Sequence, residues 1–384
     1  MTWPEAITLA QKNNHELKSA QKQVEVSQWL YHRSQANFLP QVSASLSISD
    51  TISGEAKNYS YGLSATQYLF KGLASYYSLK SAEAEAHYYQ ANLKYTQSKV
   101  YYELRSAFIN FLISQKNLEL QEKILERRRE NNRLISLRYQ SGKEDKGNLM
   151  STQADQAAAE YNLTSAEKDL RLNKNKMLEL LGQSIEEVEG NIEIKNLVRP
   201  DFEVLLRSSP AYEMARYQLE SGEINQQSTV SEFLPSVSLS GSFRKTGSDW
   251  PPETGNKSWS LNISYPFFPG GANIADVNVN NLKLAKSRED FARTVKETRY
   301  NLEEAYENYQ DSVAAMAVKK IYLEATAERS KIAQAKYING LLSYDDWNRA
   351  ESDYISAQVN LLATQKSVLV NEAAWYNSYG SWVK

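Results

Sequence analysis

The side chains of this 384-residue sequence that could do chemistry fall into four short groups. Asp345 and Asp346, in YDDW, form a carboxylate pair of the kind that can divide acid and base roles. ERRRENNR at 126–133 gathers guanidinium groups that could hold an anion. PFFPGG at 266–271 has the glycines of an anion-cradling turn, and His15, His32 and His87 are the imidazoles available to a metal. None of these makes a complete site. The aspartates lack a neighbouring histidine, a second carboxylate cluster or a glycine-rich loop. ERRRENNR, with Glu122, Glu126 and Glu130 spaced along it, reads as a solvated helix face of i, i+4 pairs. PFFPGG reads as a bend from strand into helix, because proline interrupts a ladder and glycine permits the turn. The histidines are too scattered for i, i+4 metal ligation. With no cysteine there is no thiolate ligand, cysteine nucleophile or disulfide framework. The expectation is a protein that is not an enzyme and has no cofactor and no metal. A net charge of −2 gives no bulk attraction to nucleic acid.

The elements that carry these residues come twice. NFLPQVSASLSIS at 37–49 is answered by EFLPSVSLSGSFR at 232–244, QYLFKG by YPFFPGG, and RYQSG at 138–142 by KYING at 336–340. Each half reads as helix, two strands, long helix, turn and return helix, which places the repeats at 1–200 and 201–384, folded together as one unit. No apolar run reaches the length of a transmembrane helix, and MTWPEAITLA has no basic and apolar leader, so an export signal is expected to lie outside this sequence.

Period-2 alternation marks the strands, expected at about 42–52, 58–69, 236–246 and 257–267. Val42, Ala44, Leu46 and Ile48 alternate with serines, as do Val237, Leu239 and Phe243 around Gly241. Tyr59, Tyr61, Leu63 and Ala65, and Trp259, Leu261, Ile263 and Tyr265, repeat the pattern. Strands of roughly 9 to 11 residues with aromatic ends suit a tilted bilayer crossing. Leu46, Ile48, Leu239, Phe243, Leu261 and Ile263 are then expected to face lipid, and Ser45, Ser47, Ser240 and Ser260 an aqueous lumen. Four strands cannot close a barrel, and an open edge in lipid leaves backbone groups unpaired, so several chains would have to share one barrel.

Two proline-free stretches, 72–140 and 271–338, predict helices of roughly 100 Å at 1.5 Å per residue. Leu93, Val100, Leu104, Ala107, Phe111, Ser114, Leu118 and Leu125 form a coiled-coil seam in the first, and Val295, Thr298, Leu302, Ala305, Tyr309, Ser312, Met316 and Leu323 form its counterpart. Return helices at 148–181 and 344–379 carry seam positions Leu163, Leu170 and Met177, and Val359, Leu362, Leu369, Ala373 and Tyr376. Ascending helices near 16–37 and 211–232 cover the remainder of the long ones. Gly142 and Gly340 stand where a residue with positive φ commonly closes the last helical turn.

EAITLAQKNNHELKSA, both FLP strand entries, LFKG and PFFPGG, and the RYQSG and KYING hairpins together resemble the TolC-like outer-membrane efflux proteins over almost the whole chain. The resemblance implies a mainly helical, mixed α and β fold. In it, a homotrimer forms a twelve-stranded barrel in outer-membrane lipid, four strands per protomer, continued by a helical periplasmic tunnel. The function implied is a passive exit duct for efflux or type I secretion, engaged by a periplasmic adaptor (a membrane fusion protein) and an inner-membrane transporter. It places adaptor docking on the periplasmic turns, at Gly142 and Lys143 and at Gly340 and Leu341. It also places a constricting aspartate at Asp346, with Asp345 as its neighbour. The second constricting aspartate of the family is replaced here by Arg349, so alternating charge could close the gate. A periplasmic coiled-coil adaptor or a soluble scaffold is the alternative reading; an adaptor would normally flank its hairpin with small β-rich domains instead of repeating one unit twice, and a scaffold leaves the four serine-alternating strands unexplained. The cargo is not legible in these residues.

Overall fold

Asn14 and Ser209 each interrupt what would otherwise be one helix, at matching places in the two repeats. Asn14 has extended backbone and its side chain accepts the Leu17 N–H at 3.0 Å, while Ser209 precedes Pro210, which suits a first helical turn. The elements are α1 (Trp3–Asn13), α2 (His15–Gln35), β1 (Gln41–Ser49), β2 (Asn58–Lys71), α3 (Ala74–Gln140), α4 (Lys146–Leu181), α5 (Phe202–Ser208), α6 (Pro210–Ser228), β3 (Ser236–Gly247), β4 (Thr254–Ser264), α7 (Ala272–Ile338) and α8 (Tyr344–Ser378). This computed structural model describes residues 1–50, 57–190 and 197–382. Positions 51 and 52, the expected end of the first strand, lie outside them.

Several element ends differ from expectation for local reasons. β4 stops at Ser264 because Pro266 has no N–H for the ladder, and it begins at Thr254 because Thr254 pairs with Thr246. β2 runs on to Lys71 through an irregularity between Tyr68 and Phe70. α3 starts at Ala74 because Gly72 and Leu73 both have positive φ in the turn before it. A Cβ on Gly72 would also fall 2.6 Å from the Ser231 carbonyl oxygen, so the turn needs glycine there on both counts.

The chain forms two compact units, each built from both repeats. One comprises Met1–Ser19, Lys94–Ser209 and Glu297–Lys384 and is entirely helical among its described elements. Its seams are mostly buried as expected: Val100, Leu104, Ala107, Phe111, Ser114 and Leu125 on α3, and Thr298, Leu302, Tyr309, Ser312 and Met316 on α7. Val359 is the exception and is exposed. Trp3, Ala6 and Ala10 lay one face of α1 against Leu104, Phe108 and Phe111 of α3 and against Met177 and Leu181 of α4.

The other unit, Ala20–Leu93 with Pro210–Lys296, holds the sheet and four helical stretches. Its helices approach closely through small residues, Ser27, Ala84, Ala91 and Ala215, and a Cβ on Gly222 would stand 3.0 Å from Ser287 Oγ. His87 stacks on Tyr217 with ring centroids 5.2 Å apart. The sheet is antiparallel throughout in the order β1-β2-β3-β4, so the two hairpins join through β2 and β3 and leave β1 and β4 as edges.

Candidate functional site

Strand register decides what each face of the sheet can do. Leu46 pairs with Tyr61, Leu63 with Phe243, Leu239 with Leu261 and Val237 with Ile263, and paired residues share a face. Leu46, Ile48, Leu239, Phe243, Leu261 and Ile263 therefore lie on one side, and Ser45, Ser47, Ser240 and Ser260 on the other. The apolar side is open: Leu46 is 63% exposed, Ile263 69% and Trp259 78%. Isolated in water, such a surface would be a liability. The polar side satisfies itself across the strands through hydroxyl pairs, Ser43 with Ser64 at 2.8 Å, Ser47 with Ser60 at 3.1 Å and Ser242 with Ser258 at 2.8 Å. At one end of the sheet the Trp250 ring lies 6.1 Å from that of Tyr59 and 5.9 Å from that of Tyr61.

The helical unit carries the second candidate, the paired turns α3–α4 and α7–α8. Gly142 and Gly340 have φ of 70° and 74°, as the sequence led one to expect. Both turns close alike. Gly142 N–H donates to Tyr139 and Lys143 N–H to Arg138; Gly340 N–H donates to Tyr337 and Leu341 N–H to Lys336. Asp145 then caps α4 by accepting from Asn148 N–H at 2.9 Å, and Ser343 caps α8 by accepting from Asp346 N–H at 3.2 Å. Lys143 and Leu341 are exposed at the two turns.

The gate candidates all lie at the start of α8, and all are exposed. Ser343 Oγ donates to the Asp346 carboxylate at 2.8 Å, so Asp346 takes part in the cap. Asp345 stands beside it in the first turn, where a carboxylate favours the helix N-terminus in any case. Arg349 is exposed one turn on, and no ion pair between it and Asp346 forms among the described residues of a single chain.

What the sequence reading missed lies just behind these turns. ERRRENNR is a solvated face only in part: Glu126, Arg129, Glu130 and Arg133 are exposed, while Arg127 and Arg128 turn inward. Arg127 Nε and Nη2 grip the Glu351 carboxylate at 2.5 and 2.7 Å, and Ser330 Oγ donates to it at 2.6 Å. Glu351 is 1% exposed. Arg128, also buried, reaches Asp155 and Asn348 at 3.2 Å and Ser352 at 3.1 Å, whereas Arg129 stays on the surface. Burial pushes the Glu351 carboxyl up, but hydrogen bonds from Arg127 and Ser330 and the charges of Arg127 and Arg128 outweigh it, holding the group below the ordinary glutamate range. Nearer the turns, Tyr337 donates to Glu144 from the other hairpin, and Arg138 lies over the Tyr337 ring at 4.6 Å. Tyr337 stacks on Trp347 at 4.6 Å, and Tyr344 shares a 2.8 Å hydrogen bond with Thr152. Burial, then the hydrogen bond to Glu144, raise the Tyr337 hydroxyl pKa, so it remains a donor at neutral pH. The two hairpins are thus tied by a polar latch set on a small aromatic core. A signal for it was present: Glu351 falls one helical turn after Trp347 in an otherwise apolar stripe, and a carboxylate there requires a partner.

Comparison with known proteins bears on the family and the fold. The sequence model of the outer membrane efflux protein family matches twice, at residues 6–183 and 203–381. The probable outer membrane lipoprotein SilC of Salmonella typhimurium is 24% identical over 192 residues, covering 47% of this chain and 40% of that protein. The solvent efflux pump outer membrane protein SrpC of Pseudomonas putida is 27% identical over 187 residues, covering 46% and 38%. The chain thus spans about two fifths of the length of these curated relatives. The crystal structure of the outer membrane protein VceC of Vibrio cholerae shares the fold with a TM-score of 0.87 at 17% identity, over 99% of this chain and 96% of that one. Two successive family matches that coincide with the two structural repeats leave one conclusion: the chain belongs to the outer membrane efflux protein family.

Proposed function

We propose that this chain is a passive exit duct of the outer membrane, working as a homotrimer. The observation that carries the reading is the sheet: four antiparallel strands with an exposed apolar face, a self-satisfied polar face and two edges, β1 and β4. An even number of strands per chain makes β4 of one protomer antiparallel to β1 of the next, so three copies can close a twelve-stranded barrel without an edge. Among the described residues no helix is long and apolar enough to cross a membrane. The six apolar residues named above then meet lipid, and the helical hairpins line the periplasmic tunnel. No catalytic step is assigned. Transport energy would come from an inner-membrane transporter, linked through a periplasmic adaptor. The test is co-purification: the protein should leave outer-membrane vesicles only with detergent, as a trimer, and conduct ions in planar bilayers. A soluble, non-conducting monomer would refute the reading.

In the same reading the turns at Gly142–Lys143 and Gly340–Leu341 point into the periplasm and receive the adaptor. Leu341 is 75% exposed, an uncovered apolar side chain at the end of a rigid hairpin. Photo-cross-linkers placed at Lys143 and Leu341 are expected to capture a periplasmic protein. Labelling of both positions by membrane-impermeant reagents added to intact cells would reverse the orientation.

The gate is proposed at the start of α8. Threefold symmetry gathers three Asp346 carboxylates, with Asp345 beside them, and a ring of carboxylates attracts cations. Asp346→Asn separates this role from capping, because asparagine keeps an oxygen for Ser343 while losing the charge. Divalent-cation block of single-channel current is expected to weaken in Asp346→Asn and to change less in Asp345→Asn. Arg349→Ala is expected to widen the closed entrance by removing the opposing charge. Unchanged block in Asp346→Asn would leave it with the capping role alone.

A further inference from the structure

The four strands contain four basic residues, Lys71, Arg244, Lys245 and Lys257, and no aspartate or glutamate, in a chain whose net charge is −2. Register sorts them. Tyr61 pairs with Lys245 and Phe243 with Lys257, which puts both lysines on the apolar face. Gly62 pairs with Arg244, Arg244 with Asn256, and Lys71 with Ser236, which puts Arg244 and Lys71 on the serine face. All other residues on that face are uncharged.

We propose that Arg244 is a specificity-determining residue that makes the pore through the sheet favour anions, with Lys71 adding to it at the opposite end. The inference rests on the trimeric duct proposed above. The Arg244 side chain is exposed and makes no hydrogen bond or ion pair among the described residues. It lies over a shallow hollow of about 330 Å³ floored by Gly62, Ser64, Ser242 and Ser258. The strand beside it requires glycine at 62, since a Cβ there would stand 2.5 Å from the Phe243 carbonyl oxygen and 3.2 Å from the Arg244 Cβ. The hydroxyls around it are uncharged and pair with one another, Ser242 with Ser258 at 2.8 Å, so they supply no countercharge to the guanidinium. In the sequence, the connections between the strands of each hairpin carry the carboxylates Asp50, Glu55, Asp249 and Glu253. Three copies would set a ring of guanidinium groups in an otherwise uncharged, hydroxyl-lined passage, the arrangement by which pores select anions. Within the strand-lined segment, as distinct from the carboxylate ring proposed at the start of α8, solutes with a negative charge are the class admitted best.

The experiment is the reversal potential of single channels in a potassium chloride gradient. The proteins to compare are wild type, Arg244→Gln, Arg244→Glu, Lys71→Gln and, as the control on the apolar face, Lys257→Gln, each measured also with Asp346→Asn so that the carboxylate ring proposed above does not set the ratio. The chloride-to-potassium permeability ratio is expected to fall about threefold in Arg244→Gln, further in Arg244→Glu and less in Lys71→Gln, with no change in Lys257→Gln. A conducting channel whose ratio ignores both Arg244 substitutions overturns this inference alone. A wild-type protein that never conducts removes the duct, and this inference with it.

Discussion

Replacing Arg127 by Met is expected to destabilise the helical unit by about 3 kcal/mol, because it strands a carboxylate that water cannot reach. Removing one member of a buried pair commonly costs about 3 to 5 kcal/mol. The low end applies here since Arg128 and Ser330 remain near Glu351. Glu351→Leu should cost less. Arg127 is one-third exposed and can turn its charge to solvent once its partner is gone. The double substitution should recover part of the loss, as apolar replacements of buried pairs often do. The sign with pH follows from the lowered Glu351 pKa. The pair's contribution is fully present above the ordinary glutamate value and is lost as pH falls through the lower folded value. The deficit of Arg127→Met should therefore shrink on acidification, where Glu351 can protonate. Urea unfolding of the detergent-solubilised protein, followed by circular dichroism at several pH values, checks both the magnitude and the trend. A deficit that grows in acid would contradict the latch.

Charge on the two faces of the sheet should be tolerated very differently. Leu239→Arg near mid-membrane is expected to cost roughly 2 to 4 kcal/mol of membrane stability. Ser240→Arg, one residue along and on the opposite face, should assemble normally and reduce conductance by narrowing the passage. Folding into vesicles, scored by heat-resistant migration on gels, separates the two outcomes. Equal tolerance would mean that neither face meets lipid.

The repeat, the strands and the turns were legible because each is governed by local rules. Alternating serines at 43–49 and 236–242 fix a two-faced strand, and a glycine at 142 or 340 ends a long helix whatever surrounds it. Contacts across the chain were not legible. The pairing of β2 with β3, which joins the repeats into one sheet, depends on which edges meet, and alternation is silent on that. The basic run was misread for a related reason. Its i, i+4 charge pattern describes one helix, but Arg127 and Glu351 lie 224 residues apart and meet only when two hairpins pack. The ascending helices expected near 16–37 and 211–232 were legible too, and they correspond to α2 and α6, which start just after Asn14 and Ser209.

The central claim is that the two sheet edges are closed by neighbouring copies, β4 of one protomer against β1 of the next. The absence of cysteine makes a direct test clean. Single cysteines introduced together on β1 at Leu46 or Ile48 and on β4 at Leu261 or Ile263 are to be oxidised in isolated outer membranes and run on denaturing gels. Closure predicts, for at least one β1 and β4 combination, a covalent trimer that reverts to monomer on reduction and is absent from either single-cysteine parent. Monomer from every combination, in membranes where the protein conducts, would contradict the shared barrel.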